Sequence, residues 1–377
     1  MTIKDIKFYP IDFNSLRRNK AIGIHCSIIT VIHTDNGLIG VGEAPVDYEI
    51  HGHTLVSTLE WFKLYRNALL GRDELNLSLV ESIIEKIDGE RCGCNTAKAA
   101  IDMAVYDIIG KYRRCPVHQI IGGAYRDQIE LMLRLDDGGI ASTVSNAKAA
   151  LDAGFYGLTI KLDGANKNNS LAQHILKSTI LVRDILNLVD EKIYVCVDAG
   201  QSLENSALVC RMISNLFEKR FFSNFSLRQP LSKDDYVGHA SIREKISAPL
   251  QLSISVDSDK SMMQIELLKS ADRIALSLER VGGIKQAMRI VDICESASIG
   301  IHPQVNSLTP IGLSAHLHLA AAIHDAFPVE ISNGFEFENS LIKTFYKASK
   351  STIAFENLPG LGIQINEDEL NLAAFTS

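Results

Sequence analysis

A lysine that closes a short apolar segment is the first residue of this sequence whose position suggests chemistry. An alanine-rich helical pattern ends at Gly154, a strand-like run follows, and Lys161 ends that run before a polar loop. A charged amine at the end of a buried strand is costly unless it has a partner or a task, and general base catalysis is one such task. On this segment alone, a surface lysine whose stem covers apolar neighbours is the simpler interpretation.

The same arrangement recurs, because most strand-like segments from residue 128 onward carry polar side chains at their ends. These side chains are Arg134 and Asp136 on one face of the first segment, then Asp198, Arg228, Ser253, Ser277 and, on the seventh, His302. About eight such segments alternate with helical ones over roughly 200 residues, which predicts an α/β fold with a parallel barrel. Polar residues at the carboxyl ends of barrel strands point into the active-site mouth, so these residues are candidates for one site.

Two other patterns precede the barrel. Residues 1–45 alternate like an antiparallel sheet, and Asn36-Gly37 predicts a hairpin turn between its last two strands. Residues 54–114 have helical periodicity, and Asn95-Thr96 is the predicted cap of the third helix. Asp102 and Asp107 lie near the apolar stripe of that helix, where packing or hydrogen bonding explains them better than catalysis.

Composition excludes several classes of function. The 377 residues are 46% hydrophobic and 22% charged, which is typical of a globular protein. A net charge of −7 without a basic tract argues against binding to nucleic acid or to anionic membranes. No apolar run reaches the length of a spanning helix, and the first residues read as a strand rather than a signal peptide. The seven scattered cysteines predict reduced thiols and a cytoplasmic protein, and they argue against a zinc site.

The order of these segments resembles the enolase superfamily, and within it the branch of muconate-lactonizing enzymes and dipeptide epimerases. The similar stretches are Asp35–Ala44, Ala97–Gly110, Ile120–Gly123, Val281–Ile284, and Ile311–Ala315 with His318. The resemblance implies a (β/α)7β TIM-like barrel over 126–334. It implies an α+β capping domain made of 1–125 plus about 335–377, and assembly into a homo-oligomer.

The resemblance also implies a reaction. Enzymes of this branch abstract a proton next to a carboxylate, and a Mg²⁺ ion stabilises the enolate that forms. Three carboxylates at the ends of the third, fourth and fifth barrel strands hold the ion. Two lysines act as bases on opposite faces of the substrate, one from a Lys-x-Lys motif on the second strand and one from the sixth strand.

This chain departs from that pattern at most of these positions. The Lys-x-Lys motif becomes Thr159-Ile-Lys161, which keeps only the second lysine. Asp198 matches the first metal ligand, but the second position is Arg228 and the third is Ser253. The lysine of the sixth strand corresponds to Ser277. The Asp-x-Asp motif that grips a dipeptide amine corresponds to Glu330-Ile-Ser332.

The charges at the three metal positions sum to zero, and this predicts that no magnesium is bound. A guanidinium about 4 Å from Mg²⁺ repels it by roughly 8 kcal/mol at an effective dielectric constant near 20. We therefore expect Arg228 to pair with Asp198 in a two-pronged contact. In the alternative, a shifted register brings Asp257 or Asp259 to the third position. That shift would not restore the missing glutamate.

Two functions follow as expectations, and the partner expected in the first is a small-molecule carboxylate at the barrel mouth. In the first, the chain is an isomerase or lyase on a small carboxylate or amino-acid derivative, with Lys161 as base and Arg228 as electrostatic stabiliser. The residues expected to bind substrate are Arg134, Asp198, Ser253, Ser277 and His302. His302 is also a possible second acid or base, although a histidine bonded to a neighbour is the simpler interpretation.

In the second, the chain is a catalytically inactive pseudoenzyme that binds a small anion or a partner protein. A third possibility, a complete magnesium epimerase, requires the alignment to be wrong at two ligands. By resemblance, specificity would come from the loops Asn14–Gly23 and Tyr48–His53. The basic residues of these loops are Arg17, Arg18, Lys20, His51 and His53.

Overall fold

A computed structural model describes residues 1–12, 26–73, 75–89, 93–135, 139–162, 170–217, 224–332, 341–344, 347–349 and 351–374. Several residues discussed above lie outside these ranges, namely the loop Asn14–Gly23 with Arg17, Arg18 and Lys20, and also Asp136.

The chain begins with a three-stranded antiparallel sheet, as its alternating pattern predicts. The strands are β1 (Ile3–Asp12), β2 (Cys26–Thr34) and β3 (Ile39–Val46), in the order β1-β2-β3. The predicted turn between the last two strands is confirmed, and Gly37 takes a positive φ of 85° there, which glycine adopts without strain.

Helices follow this sheet along the chain. They are α1 (Tyr48–His51), α2 (Leu55–Leu69), α3 (Leu77–Asp88), α4 (Asn95–Arg113) and α5 (Val117–Ile120). Helix α4 lies so close to β3 that a Cβ atom at Gly42 would stand 1.8 Å from the carbonyl oxygen of Ala100. Only glycine permits that approach.

The predicted cap of α4 is wrong. Cys94 occupies the N-cap position, and its side chain makes no capping hydrogen bond. The Asn95 side chain donates instead to the carbonyl oxygens of Arg280 at 2.6 Å and Asp257 at 3.2 Å, both in the barrel. The residue therefore joins the helix to the barrel instead of terminating the helix.

Asp102 and Asp107 have the structural roles that the sequence predicts. Asp107 is fully buried and accepts hydrogen bonds from the backbone amides of Val41 and Leu361 at 3.1 and 2.9 Å. Asp102 accepts from the amide of Ile284 at 2.5 Å, at the start of a barrel helix.

The second half of the chain is a parallel barrel. Its strands are β4 (Gln128–Leu135), β5 (Gly157–Lys161), β6 (Tyr194–Asp198), β7 (Phe225–Arg228), β8 (Leu250–Leu252), β9 (Arg273–Leu276), β10 (Gly300–Pro303) and β11 (Val329–Ser332). The strands pair in chain order from β4 to β10, and β11 pairs with β4. A hydrogen bond of 3.0 Å from the amide of Val305 to the carbonyl of Glu330 closes the ring.

Helices connect these strands in the alternation that the sequence predicts. They are α6 (Ile140–Asp152), α7 (Leu171–Leu186), α8 (Ser206–Phe217), α9 (Tyr236–Arg243), α10 (Asp259–Leu267), α11 (Leu278–Val281), α12 (Ile284–Ala297) and α13 (Pro310–Ala322). Strand β8 is short and ends at Leu252, so Ser253 follows it directly.

The C-terminal segment contacts both parts of the molecule. It contains β12 (Ile342–Thr344), β13 (Lys347–Ala348), β14 (Thr352–Ala354), β15 (Ile363–Ile365) and α14 (Glu367–Ala373). Strand β14 pairs with the amino-terminal end of β4, and Glu367 lies 2.6 Å from both Lys7 Nζ and Tyr9 Oη on β1. Among the described residues, no helix is both long enough and apolar enough to cross a membrane.

Candidate active site

Three of the predicted site residues lie side by side at the carboxyl end of the barrel. Lys161 is the register partner of Asp198, and Asp198 is the register partner of Arg228. Lys161 is exposed, whereas the other four residues of β5 are buried. Its amine forms no hydrogen bond or ion pair with the described part of the chain.

Arg228 is fully buried beneath this mouth, and its strongest partner is not the one predicted. Its Nη2 and Nη1 donate to the two carboxylate oxygens of Glu330 at 2.7 and 3.2 Å, whereas Nη1 reaches Asp198 at 3.4 Å. The predicted pairing with Asp198 is therefore confirmed as a single contact, whereas the predicted two-pronged geometry is wrong for Asp198 and is found with Glu330. Glu330 is the stronger partner because both of its carboxylate oxygens face the planar guanidinium inside the closed barrel.

The remaining donors of Arg228 are also engaged. Nε donates to the side-chain oxygen of Gln251 at 2.6 Å, and Nη2 lies 3.4 Å from Nδ1 of His302. A guanidinium has five N–H groups, and each has a partner here. Arg228 thus supports the floor of the site and has no free donor for a substrate in this arrangement.

Glu330, on the eighth barrel strand, is the centre of the buried network. Besides Arg228, it accepts hydrogen bonds from the Thr159 hydroxyl at 2.6 Å and the Gln304 amide at 3.0 Å. Burial opposes its ionisation, but the charge of Arg228 outweighs burial and holds the pKa of Glu330 well below its usual range. The carboxylate therefore stays ionised and balances the guanidinium.

His302 is fully buried within the same network. Its Nδ1 lies 3.2 Å from the side-chain nitrogen of Gln251, which can only donate, so Nδ1 is the acceptor. Burial, followed by the nearby charge of Arg228, lowers the pKa of His302 to about 3. The ring is thus neutral, with its proton on Nε2, 3.8 Å from Glu330.

Arg134, on the strand next to that of Lys161, and Ser277, after the sixth strand, are connected through Asn306. Arg134 Nη1 donates to Asn306 Oδ1 at 3.3 Å and lies 3.7 Å from Glu330. Asn306 in turn donates to the Ser277 hydroxyl at 2.9 Å, and that hydroxyl donates to Glu279 at 2.5 Å. Ser277 is therefore held by hydrogen bonds where the resemblance implies a second base.

The residues at the three metal positions do not fit a magnesium ion. Magnesium requires several oxygen ligands, whereas the fully buried guanidinium of Arg228 occupies the second position. Ser253 follows β8 directly, which supports the alignment without a shift. Asp257 and Asp259 line a separate cavity of about 620 Å³ between α3, α4 and the barrel. The described parts of the chain contain no group of three or more His, Cys, Asp or Glu side chains placed to hold a metal.

Sequence reasoning missed Arg280 as a site residue. It lies in α11, three residues after Ser277, and donates from Nη1 to the carbonyl of Ser253 at 3.3 Å and to Gln304 at 3.4 Å. A signal was available, because Glu279-Arg280 interrupts an apolar run at the end of the sixth strand. His51 of α1 lies near Arg280. Burial, together with the charge of Arg280, lowers the pKa of His51 to about 4.

The sequence matches two family models. Residues 20–122 match the N-terminal domain of mandelate racemase / muconate lactonizing enzyme, and residues 142–369 match the enolase C-terminal domain-like family. An N-succinyl-L-Arg/Lys racemase of Bacillus cereus is 30% identical over 91% of this chain and 89% of its own length. A hydrophobic dipeptide epimerase of Enterococcus faecalis is 27% identical over 89% of this chain and 91% of its own length.

Solved structures agree with these matches. The crystal structure of the Bacillus cereus racemase has a TM-score of 0.85 at 27% identity and covers 100% of this chain and 99% of its own. The Enterococcus faecalis epimerase, solved with magnesium and the dipeptide L-Leu-L-Tyr, has a TM-score of 0.83 at 25% identity, covering 96% of this chain and 99% of its own. The chain therefore belongs to the mandelate racemase / muconate lactonizing enzyme family of the enolase superfamily.

Proposed function

We propose that this chain is a magnesium-independent enzyme that isomerises a small carboxylate or amino-acid derivative, or eliminates a group from it. Lys161 is the base and removes the proton next to the carboxylate. Family membership supports the reaction class, because the relatives include racemases, epimerases and cycloisomerases.

The position of Lys161 is the observation that carries this proposal. It is the exposed last residue of an otherwise buried strand, at the carboxyl end of the barrel where this fold places its chemistry. Lys161 is the register partner of Asp198, which in turn pairs with Arg228 in the row of strand ends, so a substrate bound in the mouth can reach the amine.

A single base restricts the reaction. Ser277 is not basic near neutral pH, and the neutral His302 is buried below the mouth, so Lys161 both takes and returns the proton on one face of the substrate. A syn elimination or a one-sided isomerisation meets this condition. The negative charge that develops on the substrate lies close to Arg134, which is partly exposed, while Arg228 contributes through its field.

A second function, binding without turnover, is favoured by one specific observation. Arg228 and Glu330 neutralise each other inside the barrel, and all five N–H groups of the guanidinium are engaged. A site whose interior charges are satisfied by the protein itself can hold an anion at its rim without performing chemistry.

Deuterium wash-in distinguishes the two functions. The protein is incubated in D₂O with N-acyl amino acids, dipeptides and unsaturated dicarboxylic acids, and exchange next to the carboxylate is followed by NMR and mass spectrometry. We expect exchange with at least one substrate and its loss in Lys161→Ala. Lys245→Ala, which changes an exposed lysine of the barrel exterior, is the matched control and should retain exchange. If the wild type exchanges no substrate, the binding function replaces the enzymatic one.

A further inference from the structure

Arg280 is a buried cation without an ion pair in the described part of the chain. The residue is 9% exposed. The described partners of its guanidinium are two neutral oxygens, both bonded to Nη1 at 3.3 and 3.4 Å. Burying a charge is costly unless an opposite charge compensates it, so this residue differs from Arg228, whose carboxylate partner lies at 2.7 Å.

The unsatisfied part of Arg280 is one specific edge of its guanidinium. Nε is buried and has no hydrogen-bond partner, and Nη2 donates to no residue that the structure describes. Nε and Nη2 point in the same direction and form the edge that binds a carboxylate with two parallel hydrogen bonds. Nη1 is held by Ser253 and Gln304, which fixes the orientation of the plane.

Arg280 is connected through Gln304 to the residues of the barrel mouth. Gln304, which accepts from Arg280, donates to Glu330, and Glu330 lies 3.7 Å from Arg134. The charges that influence Arg280 most are those of Glu279, Arg228, Asp198 and Arg134, and burial lowers its pKa to about 10. Glu279, the carboxylate whose charge influences Arg280 most, is engaged with Ser277, Ser307 and His316.

Arg280 and Lys161 stand on opposite sides of the mouth. Lys161 ends the second barrel strand, and Arg280 follows the sixth, so three strands lie between them in either direction around the eight-stranded ring. A ligand whose carboxylate lies against Arg280 extends across the mouth toward the proposed base. A neutral or cationic ligand would leave the guanidinium uncompensated.

We propose that the Nε and Nη2 edge of Arg280 anchors the carboxylate of a small organic anion at the barrel mouth. This inference rests on the proposed function only for the identification of the anion as a carboxylate. It holds whether the chain catalyses a reaction or only binds a ligand. It places the charge that holds the ligand on the sixth-strand side, away from Arg228.

Titration with simple anions tests this anchor. Acetate, succinate and sulfate are added at constant ionic strength, and binding is measured by calorimetry and by the melting temperature. We expect succinate or acetate to bind the wild type. Arg280→Gln should weaken binding at least tenfold, and Arg280→Lys should fall between, because it keeps the charge but loses the planar edge. Arg289→Gln, which removes a partly exposed arginine paired with Glu81, should bind as the wild type does.

NMR signals of the arginine side chains test the anchor in the wild type, so this test does not depend on whether the variants fold. In the wild type, the Nε–H signal of Arg280 should shift on addition of succinate, while that of Arg228 stays fixed. Equal affinity of the wild type and Arg280→Gln, or an unmoved Arg280 signal under saturating succinate, would overturn the anchor. Sulfate binding more tightly than both carboxylates would overturn the assignment to an organic carboxylate.

The two proposals fail separately. Loss of succinate binding in Arg280→Gln, in a protein that exchanges no substrate proton, supports the anchor and contradicts the enzymatic function. Substrate exchange that persists in Arg280→Gln with an unchanged KM contradicts the anchor and leaves the role of Lys161 intact.

Discussion

Arg228 and Glu330 form a two-pronged ion pair across the interior of the barrel, with Nη2–Oε2 and Nη1–Oε1 distances of 2.7 and 3.2 Å. The two residues come from the fourth and eighth barrel strands, and neither side chain is exposed. The resemblance implies an acidic metal ligand at position 228. The chain has instead a cation there, and it balances that cation with its own carboxylate.

Removal of one member of this pair should destabilise the fold strongly. Glu330→Gln leaves the buried guanidinium without its carboxylate, which costs about 3–5 kcal/mol of unfolding free energy. Urea denaturation followed by circular dichroism measures this loss. The surface pair Lys269–Glu266 provides the control, because Glu266→Gln should change the unfolding free energy by less than about 1 kcal/mol.

The acid dependence of this loss has a definite sign. Because the pKa of Glu330 is lowered in the folded state, its contribution is fully present above the unfolded pKa of about 4.3 and is lost as the pH falls further. The difference between wild type and Glu330→Gln should therefore shrink in acid. A difference below 1 kcal/mol at pH 7 would show that the pair is not the main support of the interior.

Magnesium should not raise the melting temperature of the wild type. Arg228 and Ser253 offer no carboxylate at two of the three metal positions. The native state therefore does not bind Mg²⁺ and is not stabilised by it. Arg228→Glu combined with Ser253→Asp supplies three carboxylates together with Asp198. That double variant should gain about 1.4 kcal/mol at a magnesium concentration ten times its dissociation constant. Thermal melts with MgCl₂, compared with melts in NaCl of equal ionic strength, measure both effects. A rise in the melting temperature of the wild type would show that it has an ordinary metal site.

His302 should not titrate between pH 5 and 8. Burial and the charge of Arg228 lower its pKa to about 3, and its Nδ1 accepts from Gln251. Nitrogen NMR of labelled histidine should therefore show one neutral ring with the proton on Nε2 throughout this range. His302→Asn assigns the signal by its disappearance. A midpoint near pH 6 would restore His302 as a candidate acid or base.

Asp102 should make stability fall as the pH rises toward neutrality. Burial raises its pKa to about 7, so the folded state binds a proton that the unfolded state has already lost above about pH 4. Asp102→Asn should therefore reduce the fall in melting temperature between pH 4.5 and 7. The amide can still accept from the Ile284 backbone amide, so the helix start is retained.

The control for this prediction is Asp325→Asn, which changes a carboxylate that is 91% exposed. It should leave the pH profile unchanged. Equal slopes in wild type and Asp102→Asn would show that Asp102 is already ionised at acidic pH.

The sequence was informative about each strand by itself. Lys161, Asp198 and Arg228 end their strands in the structure as predicted, because period-two alternation and flanking turn residues are local signals. The same local signals were misleading at Asn95, where a helix-capping residue bonds to the barrel instead.

What the sequence by itself determined is the family, the order of the strands and the sign of the charge at each strand end. Only the tertiary structure decided which charges meet. Barrel closure brings Glu330 to Arg228 from 102 positions away and leaves Asp198 with one contact to Arg228, at 3.4 Å. It also places Arg280 in the mouth without a carboxylate partner among the described residues. Such pairings depend on distances across the closed ring, and no local pattern of residues encodes those distances.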